Sequence, residues 1–567
     1  MKLLFSKFFI LLNIFLSTFL YTTGTYAQIP NSGSIQQNIE NGFQRIPNVP
    51  TQERSLPLPN ETPVPDDIHF SVKKIIFSGN TLLSNDQINL VINDYLQKVI
   101  SFNQLQVLTF SIENQYRLSG GLARVLIPPQ RILDETLYIQ IEESKWGEVL
   151  IDNQYLHLNP QKVIDTISFL QIPGKLIDLK QLERSILLTG DLPGIGINAS
   201  LRKSSTPLTT DLVAIITEVN PGYFTILVDN ANPVSIGANR IIGSLGINNP
   251  FTTGDALTGD FLNSEGSNYG HLRYTLPFGD NGLRIGLSTS AMSYHLVGSQ
   301  FQAIDATGTA ITNGIESTYP IIRTIALNLY LGINLDYRTF SNNNSQQGLI
   351  NQYSVTDLSS SVYFSSIDHF NGSGTNSISL SLINGSTDLS GSVNQPAVAM
   401  TNNAQGNFTK IRYVANRNQS LTPGFTLFGN ISGQISNRNL DASELFYLGG
   451  IGGVRAFPTN EGAGSQGQLG TMELRKSLPF NTILSLFYDY GHVQINVDNN
   501  FEGSTSHNSF DMKGDGLSLE WVPMPKLDLK MSWAKRIGIN PNPTSKGTYQ
   551  NGTSGSYEFW ISSSLSY

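Results

Sequence analysis

The chain has 567 residues, a formal net charge of −8 and a pI near 5.4. That length exceeds what one compact domain usually holds, and the acidic balance argues against nucleic acid as a partner. There is no cysteine, which excludes disulfide staples, thiol catalysis and cysteine-ligated metals. A mean hydropathy of −0.11 excludes a helical membrane bundle but not a barrel, whose strands turn half their residues to a polar lumen.

The N-terminus predicts a secretory signal over residues 1–27. Lys2 and Lys7 supply the positive region, Phe8 to Leu20 the apolar run, and Thr25-Tyr-Ala27 the small-residue cleavage site. Residues 28–68 follow as a helix and linker. Ile35, Ile39, Phe43 and Ile46 recur at helical spacing within 34–46, and Pro47, Pro50, Pro57, Pro59, Pro63 and Pro65 then give an extended stretch.

Residues 69–143 predict strand–helix–helix–strand–strand. The first strand spans His69 to Phe77. Ser84 caps a helix running through Lys98, and a second helix covers Asn103 to Leu118. Strands Leu122–Ile127 and Leu133–Ile141 flank Pro128-Pro129-Gln130. Residues 144–220 repeat the order: strand Trp146–Ile151, helices from Pro160 and over Asp178–Thr189, strands Ile195–Leu201 and Leu212–Val219. Two such copies are tandem domains rather than a solenoid.

From 221 to 567 the texture changes to strands alone. Over 325–337, Ile325, Leu327, Leu329, Leu331, Ile333, Leu335 and Tyr337 share one face, opposite Asn328, Gly332, Asn334 and Asp336. Leu527, Leu529, Met531 and Trp533 oppose Asp528, Lys530 and Ser532 in the same way. About sixteen strand-length segments are expected, beginning near 222, 237, 256, 268, 282, 304, 321, 351, 374, 406, 422, 466, 481, 514, 526 and 557. An even number of alternating strands with aromatic ends points to a transmembrane β-barrel, antiparallel and without free edges.

One constellation stands out against this wall. In strand 481–491, Leu484, Leu486, Tyr488 and Tyr490 fall on the lipid face, so Phe487, Asp489 and Gly491 face the lumen. A carboxylate at membrane depth calls for a cation. Arg455 lies in a long connection between the strands near 422 and 466, within Leu448-Gly-Gly-Ile-Gly-Gly-Val-Arg455-Ala-Phe457, whose glycines permit tight turns. Parity alone leaves two readings: a loop that folds inward to pair Arg455 with Asp489, or an exposed loop arginine and an ordinary lumen acid.

The chain resembles the outer-membrane transporters of two-partner secretion, the haemolysin secretion/activation family. Val454, Arg455, Ala456 and Phe457 are similar to that family's lumen-loop motif Val-Arg-Gly-Tyr, and Phe487-Tyr-Asp489-Tyr-Gly491 to its strand motif Phe-x-Asp-x-Gly. Asp229-Asn230, Tyr274-x-x-Pro277 and Tyr319-Pro320-x-x-Arg323 are similar to its strand landmarks. Ala456 for glycine, Phe457 for tyrosine and terminal Tyr567 for phenylalanine are departures. The resemblance implies a salt bridge between Arg455 and Asp489, and identifies 69–143 and 144–220 as periplasmic POTRA domains before a barrel at 221–567. It also implies that a partner exoprotein crosses unfolded from periplasm to cell surface after recognition by the POTRA domains, with residues 34–46 a candidate lumen helix. Lipid of the outer membrane and the barrel assembly machinery are the other expected partners. A barrel-assembly insertase is the alternative, although such proteins usually carry three or more POTRA domains.

Catalysis is not expected. The seven histidines never fall at metal-ligand spacing on one element, no G-x-S-x-G elbow occurs, and no cofactor is implied. Asp511-Met-Lys-Gly-Asp515-Gly516 lacks the later glutamate of a calcium loop and reads as a hairpin turn.

Overall fold

The computed structural model describes residues 30–43, 69–152, 158–219, 221–298, 301, 305–344, 349–392, 403–501 and 504–567. The expected signal segment and proline-rich linker lie outside the described residues. The first element is α1 (Ser32–Phe43). It begins two residues before the expected stripe because Ser34 and Asn31 bond each other's backbone at its start.

The first α+β unit comprises β1 (His69–Val72), β2 (Lys74–Ser78), α2 (Asn85–Ile92), β3 (Lys98–Ser101), α3 (Phe102–Leu118), β4 (Ala123–Leu126) and β5 (Thr136–Glu143). Ser84 caps α2 in a capping box with Gln87, as expected. The expected single first strand is broken in two, and the helix stops at Ile92 rather than Lys98. Gln97 takes a left-handed φ of 59°, and the β-branched Val99 and Ile100 that follow pair with β1. The last strand starts at Thr136 because Asp134 and Glu135 are both left-handed and form a turn. The sheet order is β2-β5-β4, β2 parallel to β5. Gln130 bonds both the Tyr138 amide (2.8 Å) and its carbonyl (2.7 Å), so its side chain stands in for a strand partner.

The second unit repeats this order with β6 (Lys145–Asp152), α4 (Pro160–Ser168), α5 (Leu179–Gly190), β7 (Ile195–Lys203) and β8 (Thr209–Glu218), in the sheet order β6-β8-β7. Its core gathers Trp146, Val163, Ile167, Leu182, Leu212 and Ala214.

Sixteen strands then close one antiparallel barrel. They are β9 (Gly222–Asp229), β10 (Arg240–Asn248), β11 (Ala256–Ser264), β12 (Ser267–Pro277), β13 (Arg284–His295), β14 (Ala306–Arg323), β15 (Leu327–Asn344), β16 (Leu349–Asp368), β17 (Gly374–Asp388), β18 (Gly406–Thr422) and β19 (Phe425–Ser436). A two-stranded inset, β20 (Phe446–Tyr447) and β21 (Ala463–Gly464), lies in the next connection. The wall resumes with β22 (Gln466–Leu478), β23 (Thr482–Gln494), β24 (Ser509–Met524), β25 (Leu527–Arg536) and β26 (Tyr557–Ser566), and β26 pairs with β9. The largest displacements from the expected starts are at β15 and at β24. β24 begins at Ser509, so residues 511–516 run within the strand instead of forming the expected hairpin turn. The displacements at β10 and β15 have local causes. β10 begins after Gly237, which ends a 3-10 turn with φ 88°. β15 begins at Leu327 because β14 continues through Pro320 to Arg323 over a bulge. Outward residues of β15 are apolar and exposed (Leu331, Ile333, Leu335, Tyr337), as lipid contact requires.

The second α+β unit sits against the turns at one end of the barrel. Arg323 forks onto Asp191 at 2.7 Å through both Nε and Nη2. Lys162 bonds Asp280 at 2.8 Å. Thus β9 rises from the α+β end and β26 returns to it.

Candidate functional site

The connection between β19 and β22 folds into the barrel, as the first of the two readings requires. Its inward hairpin is held by backbone bonds from Leu448 N–H to Gly462 (3.0 Å), from Gly449 N–H to Glu461 (2.8 Å) and from Val454 N–H to Leu448 (2.7 Å). Three glycines are obligatory there: a Cβ on Gly449 would lie 2.2 Å from the Pro458 carbonyl oxygen. Gly450 has φ 111°, and a Cβ on Gly453 would lie 1.8 Å from the Leu448 carbonyl oxygen. Gly452, by contrast, faces open space. The tip is a turn closed by Phe457 N–H to Val454 O (3.1 Å), and it delivers Arg455 to the inner wall.

The Arg455 guanidinium forks onto Asp489, Nε to Oδ2 at 2.9 Å and Nη2 to Oδ1 at 2.8 Å, and the Arg455 amide adds a bond to Oδ2 at 3.1 Å. Asp489 is fully buried. Such bidentate, charge-assisted pairing fixes direction as well as distance. A second carboxylate completes the cradle: Arg455 Nη1 donates to Glu473 Oε1 at 2.6 Å. Sequence reasoning missed Glu473, although parity along β22 would have found it, since its neighbours Met472 and Leu474 are exposed on the outer face. Glu473 also takes Arg475 at 2.6 Å, and Thr471 donates to Asp489 at 3.0 Å, so two cations and two acids balance.

The three motif residues of β23 have separate tasks. Asp489 supplies the charge. Phe487 lies flat beneath the guanidinium, 3.4 Å from ring centre to Cζ, a stacking that a desolvated arginine favours. Gly491 gives clearance, because a Cβ there would meet the Leu448 side chain at 2.7 Å and Val454 at 3.0 Å. Val454, Ala456 and Phe457 are buried with Leu448, Met512, Ala534 and Tyr549, which keeps the pair dry. The departures from the family motif are accommodated. Ala456 faces Gly514 on β24, where a Cβ would come within 2.5 Å of its own, and Phe457 meets the Tyr549 ring edge-on at 5.8 Å.

The loop also spans the closure of the barrel. Trp560 on β26 donates to the Arg455 carbonyl (2.8 Å), and Thr459 donates to the Ala231 carbonyl just beyond β9 (2.9 Å). Of the strand landmarks, Asp229 binds Arg240 (2.7 Å), and Asn230 pairs with β26 at the Phe559 carbonyl (2.8 Å) and the Ile561 amide (2.9 Å). Tyr274 donates to Asp255 at 2.7 Å.

Beside the loop, α1 occupies the lumen. Ile35 and Ile39 are buried in a cluster with Leu262, Tyr294, Phe340 and Leu445, and Phe43 stacks on Tyr269 at 5.7 Å. Gln36 reaches Thr312 (2.6 Å) and Ser290 (3.2 Å), while Asn38 donates to Asn460 on the loop (2.7 Å). A cavity of about 440 Å³ lies between α1 and the wall.

With this geometry established, the family can be read. A family model described as haemolysin secretion/activation protein ShlB/FhaC/HecB matches residues 209–510, more than half of the chain, and one for the ShlB-type POTRA domain matches 70–144. The heme/hemopexin transporter protein HuxB of Haemophilus influenzae is 23% identical over 546 residues, 94% of each chain. The outer membrane transporter CdiB of Dickeya dadantii is 23% identical over 421 residues, 71% of this chain and 72% of that one. Among solved structures, CdiB from Escherichia coli superposes with a TM-score of 0.65 at 15% identity, covering 95% of this chain and 96% of the other. BamA from Haemophilus ducreyi lacking POTRA domains 1–3 shares the fold, with a TM-score of 0.55 at 16% identity over 88% of this chain and 100% of that one. The chain belongs to the haemolysin secretion/activation family of outer-membrane transporters, with its barrel in the outer membrane and its POTRA region in the periplasm.

Proposed function

We propose that this chain is the translocation pore of a two-partner system, passing one unfolded exoprotein from the periplasm to the cell surface. The observation that supports it most directly is the infolded loop, clamped by Arg455 to Asp489 and Glu473 inside a closed barrel. The proposed division is a signal at 1–27, a helix and linker at 28–68, POTRA domains at 69–143 and 144–220, and the barrel at 221–567. The exoprotein meets the POTRA domains first. Edge strands there, β2 and β4 in the first sheet and β6 and β7 in the second, accept an extended segment through backbone bonds that tolerate varied sequence.

Transport requires α1 to leave. Its two buried isoleucines hold it by roughly 1.5–3 kcal/mol each, and its polar bonds exchange readily with water or with an incoming chain. The lumen loop stays, because moving Arg455 would leave the buried Asp489 carboxylate without a cation and take one of two cations from Glu473. Val454, Arg455, Ala456 and Phe457 therefore act as a fixed guide, with Phe487, Asp489 and Gly491 as its seat. Folding of the exoprotein outside the cell supplies the direction. Lipid contacts the outer face, and the barrel assembly machinery inserts the chain. The role is transport rather than catalysis, without a cofactor.

The test is co-expression with a candidate partner exoprotein and assay of the culture medium, alongside conductance in planar bilayers. Deleting residues 30–43 should raise conductance, and deleting 69–143 should abolish exoprotein binding. A chain that conducts but releases no partner would point to a plain porin. One that instead inserts other barrels would be an insertase.

A further inference from the structure

We infer that Glu444 is a positioning residue for the same pore: it anchors the entering limb of the lumen loop with polarity opposite to Arg455, and the turn it holds is the seat of α1. This rests on the transport reading above. Residues 441–444 form a turn, with Glu444 N–H bonded to Asp441 O at 2.9 Å and Asp441 Oδ1 accepting the Ser443 amide at 2.9 Å. The turn presents Glu444 to the tall wall, where its carboxylate is buried and bonded to Arg338 of β15 and Lys410 of β18. Lys410 Nζ also reaches the Glu444 carbonyl (3.1 Å), as does Gln434 Nε2 (2.8 Å). Arg338 is shared with Asp357 of β16.

The two anchors are complementary. At one limb the loop brings a cation to wall acids; at the other it brings an acid to wall cations. Exchanging the limbs would set Glu444 against Asp489 and Arg455 against Lys410, so buried charge fixes the direction in which the loop lies. Specification of register is the best-attested use of buried polar groups.

The same turn touches α1. Gln37 Nε2 donates to the carbonyl of Leu445, the residue after Glu444, at 2.8 Å. At Gly33 the helix backbone approaches so closely that a Cβ would lie 2.9 Å from the Ser443 Cβ. Releasing Glu444 therefore frees the surface on which α1 rests, while the Arg455 clamp remains closed.

A chain without cysteine makes single introduced cysteines clean reporters. Ile39→Cys sits on the buried face of α1, and Ala534→Cys lies buried on β25 beside the Arg455 limb. The full-length protein in proteoliposomes is labelled with a water-soluble maleimide, in the parent and in Glu444→Gln and Lys410→Met. Both variants should keep a heat-modifiable barrel, label at position 39 at least about tenfold faster, and label at 534 as the parent does; leaving Lys410 without its carboxylate in the first, or the buried Glu444 carboxylate without Lys410 in the second, supports that factor. Unchanged labelling at 39 in the folded variants overturns the inference, as does equal acceleration at both positions. If Glu444→Gln fails to assemble, Lys410→Met decides alone. Failure of the pore reading is separate: deletion of residues 30–43 would then open no channel.

Discussion

Replacing Arg455 by alanine removes one guanidinium and leaves two acids in a dry part of the lumen. Asp489 would keep the Thr471 hydroxyl (3.0 Å) and the amide at position 455 (3.1 Å), and Glu473 would keep Arg475 (2.6 Å). Truncating one partner of a buried pair costs about 3–5 kcal/mol, and these surviving bonds place the loss near the lower end. At ~1.4 kcal/mol per factor of ten, the clamped arrangement of the loop becomes less populated by on the order of a hundredfold. The sixteen-strand ladder does not use Arg455, so the barrel should still insert. The assay is co-expression with the exoprotein, with the protein in the medium divided by the amount of heat-modifiable barrel. Secretion should fall strongly at unchanged barrel level. Arg455→Lys should fall between the two, because an ammonium keeps the charge but cannot fork onto Asp489 while reaching Glu473. Full secretion by Arg455→Ala would refute the claim that the clamp guides the exoprotein.

Exchanging the pair as Arg455→Asp with Asp489→Arg should not restore secretion, since Glu473 would then oppose the new carboxylate; adding Glu473→Gln should recover part of it, and equal secretion by the double and triple variants would count against this account. Gly514→Ala places a Cβ 2.5 Å from that of Ala456, so secretion should drop and Ala456→Gly in the same chain should restore it; a drop without rescue would mean that the crowding lies elsewhere. In the first POTRA domain, burial raises the Glu143 carboxyl, but bonds from the Leu82 and Thr81 amides and the Thr81 and Tyr116 hydroxyls outweigh it and hold it below the usual range. A depressed folded value contributes stability above the unfolded pKa of about 4.3 that is lost as pH falls through the folded value. The protection of the Thr81 and Leu82 amides, their exchange rates taken relative to the intrinsic rate at each pH, should therefore fall on acidification in that window, and Glu143→Gln should flatten the dependence; identical protection profiles would sink it.

What the amino-acid order determined here is whatever has a local period. Alternation of two placed the barrel strands to within a few residues, put Asp489 and Phe487 on the inner face, and separated them from Leu486 and Tyr488. Ser84 marked its helix start because a cap acts within one turn. The starts of β3 and β5 were less legible: Gln97 and Asp134 turn left-handed just before them, and neither is a glycine that would have marked the turn. The tertiary structure alone decided which charges meet. Arg455 lies 18 residues from Glu473, 34 from Asp489 and 105 from Trp560, and only an inward fold of the loop together with barrel closure brings them together. The same holds for Glu444 with Arg338, 106 positions apart, and for α1 in the lumen. Side-chain parity is a property of each strand, whereas register, closure and the path of a long loop are settled by contacts between distant segments, which no short window of sequence contains.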